Sequence, residues 1–292
     1  MPTDPDATRL VRRRLLFAGT ALALAAAGAG LYVAVPSVRT AWWADVRVIE
    51  ERETQFGHIK VVEVGRTRYL AYGPGTQFVF QSALDLDRPH ELAAPYTRLM
   101  MLGLVYAHPG ARIAQIGVGA GNMTRYAIRT FPSAVVHGVD IDPHALDLGA
   151  RHFGLAPHPR LQLHVADGRQ WLAASDERFD VIMLDAYDDR SIPAPLADAD
   201  FFRIVAARLA PGGVAMQNVY TPQVDPPALA AAMQAAFGQI DAYRVGQSVV
   251  LAAYQGARRD PTELAAQARR LDAELRPGHP LEKLLELRAG AL

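Results

Sequence analysis

The chain has 292 residues, of which 50% are hydrophobic, and its 30 basic residues balance 30 acidic ones. That length allows one large domain or two small ones with a sizeable core, and the neutral total argues against a general nucleic-acid binder, so no nucleic-acid partner is expected. Because cysteine is absent, disulfides, thiolate metal sites and cysteine nucleophiles are excluded.

Residues 1–37 are predicted to form a membrane anchor or signal segment. Several arginines precede an uncharged run at residues 15–36, which as a helix would be about 33 Å long, enough to cross a hydrocarbon core of about 30 Å. Three interpretations stay open: an uncleaved anchor, a cleaved export signal of twin-arginine type, and a buried helix. We expect a bacterial inner-membrane protein with a single N-terminal span. The charge rule places its main domain outside, whereas the chemistry below favours the cytoplasm.

A small antiparallel β-hairpin domain is predicted for residues 38–95. Hydrophobic and β-branched residues alternate with polar ones in short runs, and Gly65 and the Gly-Pro-Gly cluster at 73–75 supply turns. The expected strands lie at 46–50, 58–63 and 67–71.

Residues 96–257 are predicted to form a Rossmann-like nucleoside-binding catalytic domain, followed by a C-terminal helical extension at 258–292. Strands alternate with helices from residue 112 onward, which is typical of a doubly wound, mainly parallel α/β sheet of the S-adenosylmethionine-dependent transferase type. The strands are expected at 112–117, 134–140, 160–165, 180–185, 213–219 and 247–254, and the helices at 96–107, 121–131, 143–153, 169–174, 199–209 and 226–237.

A glycine-rich loop connects the first of these strands to a helix. Gly117, Gly119 and Gly121 would let a ligand approach the backbone at the start of the helix. A dinucleotide fingerprint needs its third glycine one residue later, at the position of Asn122. The spacing is that of S-adenosylmethionine-type nucleoside sites, which hold no pyrophosphate.

Acidic residues follow three further strands. Asp140 ends the second strand and can accept hydrogen bonds from both ribose hydroxyls. Asp167, next to Gly168, ends the third and could accept from an adenine amino group, while Asp185 and Asp188 follow a buried strand. In an open α/β sheet the ligand crevice lies beyond the carboxyl ends of the strands, so these residues predict one nucleoside site.

From about residue 46 to 257 the chain resembles the spermidine synthase (polyamine aminopropyltransferase) family. The segments that carry the resemblance are those already quoted, together with residues 150–154, 193–196 and 200–202. The family transfers an aminopropyl group from decarboxylated S-adenosylmethionine to a diamine such as putrescine and releases methylthioadenosine. The resemblance implies that donor (or S-adenosylmethionine itself) as co-substrate, no tightly bound cofactor, and a possible homo-oligomer.

The resemblance also implies residue roles. Asp185 matches the proton acceptor, Asp188 the diamine-binding acid, and Tyr96 a substrate-pocket tyrosine, while Gln81 is placed against the donor. The nucleoside residues would be Gly117, Gly119, Gly121, Asp140, Asp167 and Gly168. The histidines show no metal-ligand spacing, so no metal site is predicted.

Departures from the family concentrate on the amine side. The acid expected in the glycine loop is Ala120, and the residues after Tyr96 are Thr97 and Arg98. A dication site that loses carboxylates and gains an arginine should hold putrescine less well. Three hypotheses therefore remain open: aminopropyl transfer to a polyamine, methylation from S-adenosylmethionine, and a non-catalytic, membrane-tethered nucleoside-binding protein.

Overall fold

The computed structural model describes residues 46–75, 78–108, 110–188 and 191–290. The predicted membrane or signal segment at 1–37 lies outside these residues. Among the helices that are described, none is both long enough and apolar enough to span a bilayer.

The N-terminal part is a four-stranded antiparallel sheet in the order β1-β2-β3-β4. Three of its strands match the prediction, whereas β4 was missed. Its sequence places Gln81 and Ser82 mid-strand among only partly buried residues, so the hydrophobic alternation of a half-buried strand is weak there. The strands are β1 (Val46–Thr54), β2 (Gly57–Val64), β3 (Thr67–Tyr72) and β4 (Val79–Asp85).

A seven-stranded sheet in the order β10-β11-β9-β8-β5-β6-β7 forms the centre of the rest. Its pairs from β7 to β9 are parallel, and β11 runs antiparallel to both of its neighbours. The predicted mainly parallel, doubly wound sheet is confirmed. Its strands are β5 (Arg112–Ile116), β6 (Val135–Asp140), β7 (Leu161–Val165), β8 (Phe179–Leu184), β9 (Leu209–Tyr220), β10 (Gln239–Val245) and β11 (Ser248–Tyr254).

Helices cover both faces of this sheet, and a short 3-10 helix spans Ala194–Leu196. Alternate side chains of the central strands point into two apolar clusters; Val181 and Ile182, for example, are each fully buried in a different one. Burying such a side chain stabilises a fold by about 1.5–3 kcal/mol. The α-helices are α1 (Pro95–Met100), α2 (Gly103–Tyr106), α3 (Asn122–Thr130), α4 (Pro143–His152), α5 (Gly168–Ala174), α6 (Ala199–Arg208), α7 (Pro226–Phe237), α8 (Pro261–Leu275) and α9 (Leu281–Leu285).

The missed strand β10 contains a buried charge that obscures its sequence pattern. Asp241 is 2% exposed and accepts hydrogen bonds from Tyr106 and Tyr254. Arg288, which follows α9, forms an ion pair with it, and the amide of Ala289 bonds to this strand. The carboxylate thus attaches the chain's C-terminal segment to the sheet.

Candidate active site

A cleft of about 440 Å³ opens at the carboxyl ends of β5, β6, β7 and β8, with residues of β2, β3 and β4 on its other wall. Parallel strands end at a common edge, so the residues that follow them converge there. Nine of the ten predicted site residues line this cleft: Gln81, Tyr96, Gly117, Gly119, Asp140, Asp167, Gly168, Asp185 and Asp188.

Gly117 and Gly119 form the floor of the cleft with left-handed backbone. Gly117 has φ +86° and packs against the chain that leaves β8; a Cβ there would lie 2.8 Å from Cα of Ala186 and would overlap the carbonyl of Asp185. At Gly119 a Cβ would lie 2.7 Å from Oγ of Ser82. Both positions therefore require glycine to bring the loop against its neighbours.

The tenth residue, Gly121, does not line the cleft. It precedes α3 with φ +79°, and a Cβ there would lie 2.6 Å from Cδ1 of Leu155. The left-handed backbone and this close packing explain why the residue is glycine, and no ligand contact is needed to explain it.

Gly117→Ala is expected to lower the free energy of unfolding by about 1–3 kcal/mol, the range typical of a strained or overpacked site. The matched control is Gly246→Ala, since Gly246 also has positive φ (+55°) but no atom within 4 Å of an added Cβ. Denaturant melts of both variants measure the difference. Equal losses would show that the clash with the end of β8 is unimportant.

The Asp140 carboxylate organises the loop that follows β5. Its Oδ2 accepts hydrogen bonds from the amides of Val118 (2.9 Å) and Gly119 (2.8 Å), and its Oδ1 accepts one from the amide of Asp142 (2.9 Å). Burial raises the pKa of Asp140, and these three amides oppose that rise. The carboxylate therefore fixes the glycine loop while it lines the cleft.

Asp142 caps α4, as its position before Pro143 suggests, through a 2.9 Å bond from the amide of His144. Its other oxygen accepts a 2.8 Å bond from the hydroxyl of Tyr72. This second contact connects β3 of the four-stranded sheet to the segment that follows β6.

Asp167 and Gly168 lie where β7 passes into α5. Asp167 caps that helix by accepting a 2.9 Å bond from the amide of Gln170. Gly168 is tightly packed, because a Cβ there would overlap the side chain of Ile116. Both residues line the cleft on the β7 side.

Asp185 lies at the end of β8 between two hydrogen-bond donors. The hydroxyl of Tyr96 donates to Oδ2 at 3.0 Å, and Nδ2 of Asn218 donates to Oδ1 at 2.8 Å. Burial raises the pKa of Asp185 to about 7, against the lowering effect of the two donors. A carboxylate with a pKa near neutrality can accept a proton from a substrate at physiological pH.

Asp188 lies three residues further along and is exposed in the cleft. Its Oδ1 accepts a 2.7 Å bond from the amide of Ser191, while Nε2 of Gln81 lies 3.5 Å from its carbonyl oxygen. A second acidic residue thereby lines the same cleft as Asp185.

Of the three positions that depart from the spermidine synthase pattern, one lines the cleft and two do not. Ala120 does not line the cleft; it is 1% exposed and packs in an apolar cluster with residues of β2, β3 and α4. Arg98 also points elsewhere, with its Nε donating to the carbonyl of Leu92 at 2.8 Å. This arginine does not contact the cleft, so the structure does not support the expectation that it weakens a dication site there. Thr97 does line the cleft.

Sequence reasoning missed Asn218, Tyr72 and Tyr187. Asn218 is the third-last residue of β9, a predicted strand, so a polar residue near another strand end was the available signal. The hydroxyl of Tyr187 accepts from the amide of Tyr220 and donates to the carbonyl of Asn218, which fixes the backbone beside Asp185. These tyrosine contacts join distant segments and leave no local pattern.

Tyr96→Phe is expected to move the acidic limb of the pH–rate profile to higher pH. The lost hydrogen bond stabilises the ionised form of Asp185, so its removal raises the pKa of that group further above about 7. With Asp185 as general base, activity should rise with pH through this limb, because a base acts in its unprotonated form. Tyr69→Phe, outside the cleft, is the control; an unchanged limb in Tyr96→Phe would contradict the assignment.

Within the described ranges, no group of three or more His, Asp or Glu side chains is arranged to hold a metal ion.

Comparisons with known proteins find relatives of two kinds, methyltransferase domains and polyamine aminopropyltransferases. Residues 113–213 match the family model described as a methyltransferase domain. A probable polyamine aminopropyl transferase of Bifidobacterium longum is 38% identical over 104 residues, which cover 36% of this chain and 23% of that protein. A polyamine aminopropyltransferase of Chromobacterium violaceum is 32% identical over 161 residues, 55% of this chain and 60% of that protein. The chain thus spans less than two thirds of the length of these relatives.

Solved structures share the fold. A spermidine synthase in complex with the transition state analogue AdoDATO superposes with a TM-score of 0.66 at 17% identity, covering 84% of this chain and 86% of that one. Human methyltransferase-like protein 13 in complex with SAH gives 0.58 at 22% identity, covering 64% and 95%. The described chain therefore has a Rossmann fold like that of S-adenosylmethionine-dependent methyltransferases, with a mixed sheet and a small antiparallel sheet before it.

Proposed function

Starting from the finding that the chain is a homologue of the polyamine aminopropyltransferase (spermidine synthase) family, we propose that it transfers an aminopropyl group from decarboxylated S-adenosylmethionine to a polyamine such as putrescine. The single observation that carries the proposal is the environment of Asp185. It combines a pKa near 7, two fixed donors and a neighbouring exposed acid, Asp188, in one cleft.

The chemistry that this geometry supports is in-line displacement at a sulfonium centre. The acceptor arrives as a diammonium ion, which two carboxylates can bind and orient. Asp185 takes a proton from the attacking ammonium, and the freed nitrogen lone pair forms a bond to the carbon next to sulfur. The carbon–sulfur bond breaks, its electron pair neutralises the sulfonium, and methylthioadenosine leaves.

The charge of the cleft supports the decarboxylated donor. No lysine or arginine is present among the described residues that line it, whereas it holds the acids Asp140, Asp142, Asp167, Asp185 and Asp188. A donor without a carboxylate is a better match to such a surface than intact S-adenosylmethionine, whose carboxylate would find no cationic side chain there.

Methylation is the second candidate, favoured by the match of residues 113–213 to a methyltransferase domain. The purified chain is incubated with each donor and an amine, and the nucleoside product is identified by mass spectrometry. We expect methylthioadenosine from the decarboxylated donor. S-adenosylhomocysteine from S-adenosylmethionine would establish methylation instead, and neither product despite donor binding would leave a non-catalytic nucleoside-binding protein.

Assembly into a homo-oligomer and placement at the inner membrane stay predictions. Light scattering of the purified protein tests the first. Fusing the C-terminus to a reporter that is active only outside the cytoplasm tests the second. An active reporter would mean that the cleft lies outside, away from the ordinary supply of donor.

A further inference from the structure

A second groove, of about 530 Å³, lies between α7 and β10. Its walls are residues of that helix and strand together with the segments that follow β11 and α9. None of its described lining residues also lines the candidate active site. Five of the ten are alanine or glycine, so their side chains leave room for a ligand beside the edge of the sheet.

Two arginines line this groove, and one buried carboxylate holds both of them. The side chain of Asp241 is fully shielded from solvent, and its Oδ1 forms an ion pair with Arg288 and a longer one, 3.3 Å, with Arg258. Its Oδ2 accepts hydrogen bonds from the hydroxyls of Tyr106 at 2.7 Å and Tyr254 at 3.0 Å. A carboxylate has about four acceptor sites, so this one is fully occupied.

The groove therefore has one more positive charge than the carboxylate neutralises. Arg288 alone balances Asp241, and Arg258 adds a second guanidinium whose side chain is 66% exposed. In the described part of the chain, no other charged side chain lines the groove.

Both guanidinium groups keep hydrogen-bond donors that a ligand can reach. Each bonds to Asp241 through Nη2, and no contact of Nε or Nη1 with another described residue is present in either arginine. Arg258 is exposed, and these nitrogens of Arg288 are not among the shielded polar atoms without a partner. A guanidinium has five N–H donors in a planar fork, so several donors remain on each side chain.

We propose that this groove binds the phosphate or carboxylate group of a small molecule between Arg258 and Arg288. Guanidinium groups suit such oxyanions because their paired N–H donors match two oxygens at once. Arg258 can turn towards a ligand, since Arg288 and the two tyrosines still satisfy Asp241. The volume accommodates more than a bare ion, because pockets of about 300–1,000 Å³ hold small-molecule ligands.

The test is calorimetric titration with inorganic phosphate and with succinate at constant ionic strength, and the ion that binds more tightly identifies the oxyanion. Ala231, on α7, lines the groove and is exposed, so Ala231→Glu introduces a carboxylate there without changing Asp241 or its partners. We expect this variant to bind that ion about tenfold more weakly, corresponding to about 1.4 kcal/mol. Arg258→Gln removes the surplus charge, leaves Asp241 paired with Arg288, and should lose a similar factor.

The matched control is Ala235→Glu, which adds the same charge at an exposed position of the same helix outside the groove and should retain affinity within about twofold. Equal losses in Ala231→Glu and Ala235→Glu would overturn the inference, because they would show only a general attraction of anions to this surface. Absence of saturable binding of both ions to the unmodified chain would overturn it as well. Neither result bears on aminopropyl transfer, since the groove and the cleft share no described residue.

Discussion

Asp185→Asn is expected to reduce kcat for group transfer by roughly 10²–10⁴-fold, the usual contribution of a positioned general base. The substituted amide keeps the size of the side chain, its oxygen can still accept from Asn218, and its NH₂ can donate to the Tyr96 hydroxyl in place of the bond that Tyr96 donated, but it cannot take a proton from the attacking ammonium. Donor affinity should change little, because the nucleoside residues lie on the other side of the cleft. Steady-state kinetics and a binding titration measure the two quantities.

A control variant and a stability measurement separate this effect from a folding defect. Asp180→Asn changes an acid on the same strand that bonds to the amide of Arg112 outside the cleft, and it should retain kcat. Burial raises the folded-state pKa of Asp185 from 3.8 to about 7, so ionisation destabilises the native state as pH rises through that range. Asp185→Asn should therefore melt at a higher temperature, with a larger gain at pH 8 than at pH 5. Unchanged turnover would refute the role of Asp185.

Asp140→Ala is expected to weaken the binding of every adenosyl ligand by roughly tenfold to a hundredfold. A carboxylate has about four acceptor sites, of which backbone amides occupy three here, so one ribose hydroxyl can bond to Asp140. A hydrogen bond to a charged acceptor is worth about 1.5–3 kcal/mol, and each 1.4 kcal/mol is about tenfold. The variant also frees the amides of Val118 and Gly119, which the carboxylate fixes. Calorimetric titration with methylthioadenosine measures the loss.

Adenosine and 2′,3′-dideoxyadenosine separate the two contributions to that loss. The unmodified chain should prefer adenosine strongly, whereas Asp140→Ala should bind both weakly and alike. Asp147→Ala, which changes a half-exposed acid in α4, is the control and should keep the preference. Persistence of the preference in Asp140→Ala would assign the ribose to another residue.

The convergence of the site could be predicted from the sequence because it depends on local signals. Glycines after β5 and acids after β6, β7 and β8 are readable one strand at a time, and parallel strands bring their ends to one edge. Gly121 shows the limit of that reasoning, because its neighbour Leu155 lies far along the chain and nothing local marks the contact.

Contacts between distant segments could not be predicted. The bond from Tyr72 to Asp142 joins the two sheets, and that from Asn218 to Asp185 joins β9 to β8. The strand β10 was missed because Asp241 breaks its apolar pattern, and its neutralising partner Arg288 comes 47 residues later. Such partners become visible only when the chain is folded.

Aminopropyl transfer is tested most directly by following the transferred group itself. The purified chain is given decarboxylated S-adenosylmethionine labelled in its aminopropyl carbons, together with putrescine, and the amines are analysed by mass spectrometry. We expect labelled spermidine in amounts matching the methylthioadenosine released, and a rate lower by roughly 10²–10⁴-fold with Asp185→Asn. Labelled donor that stays intact, although it is bound and the amine is present, would contradict aminopropyl transfer.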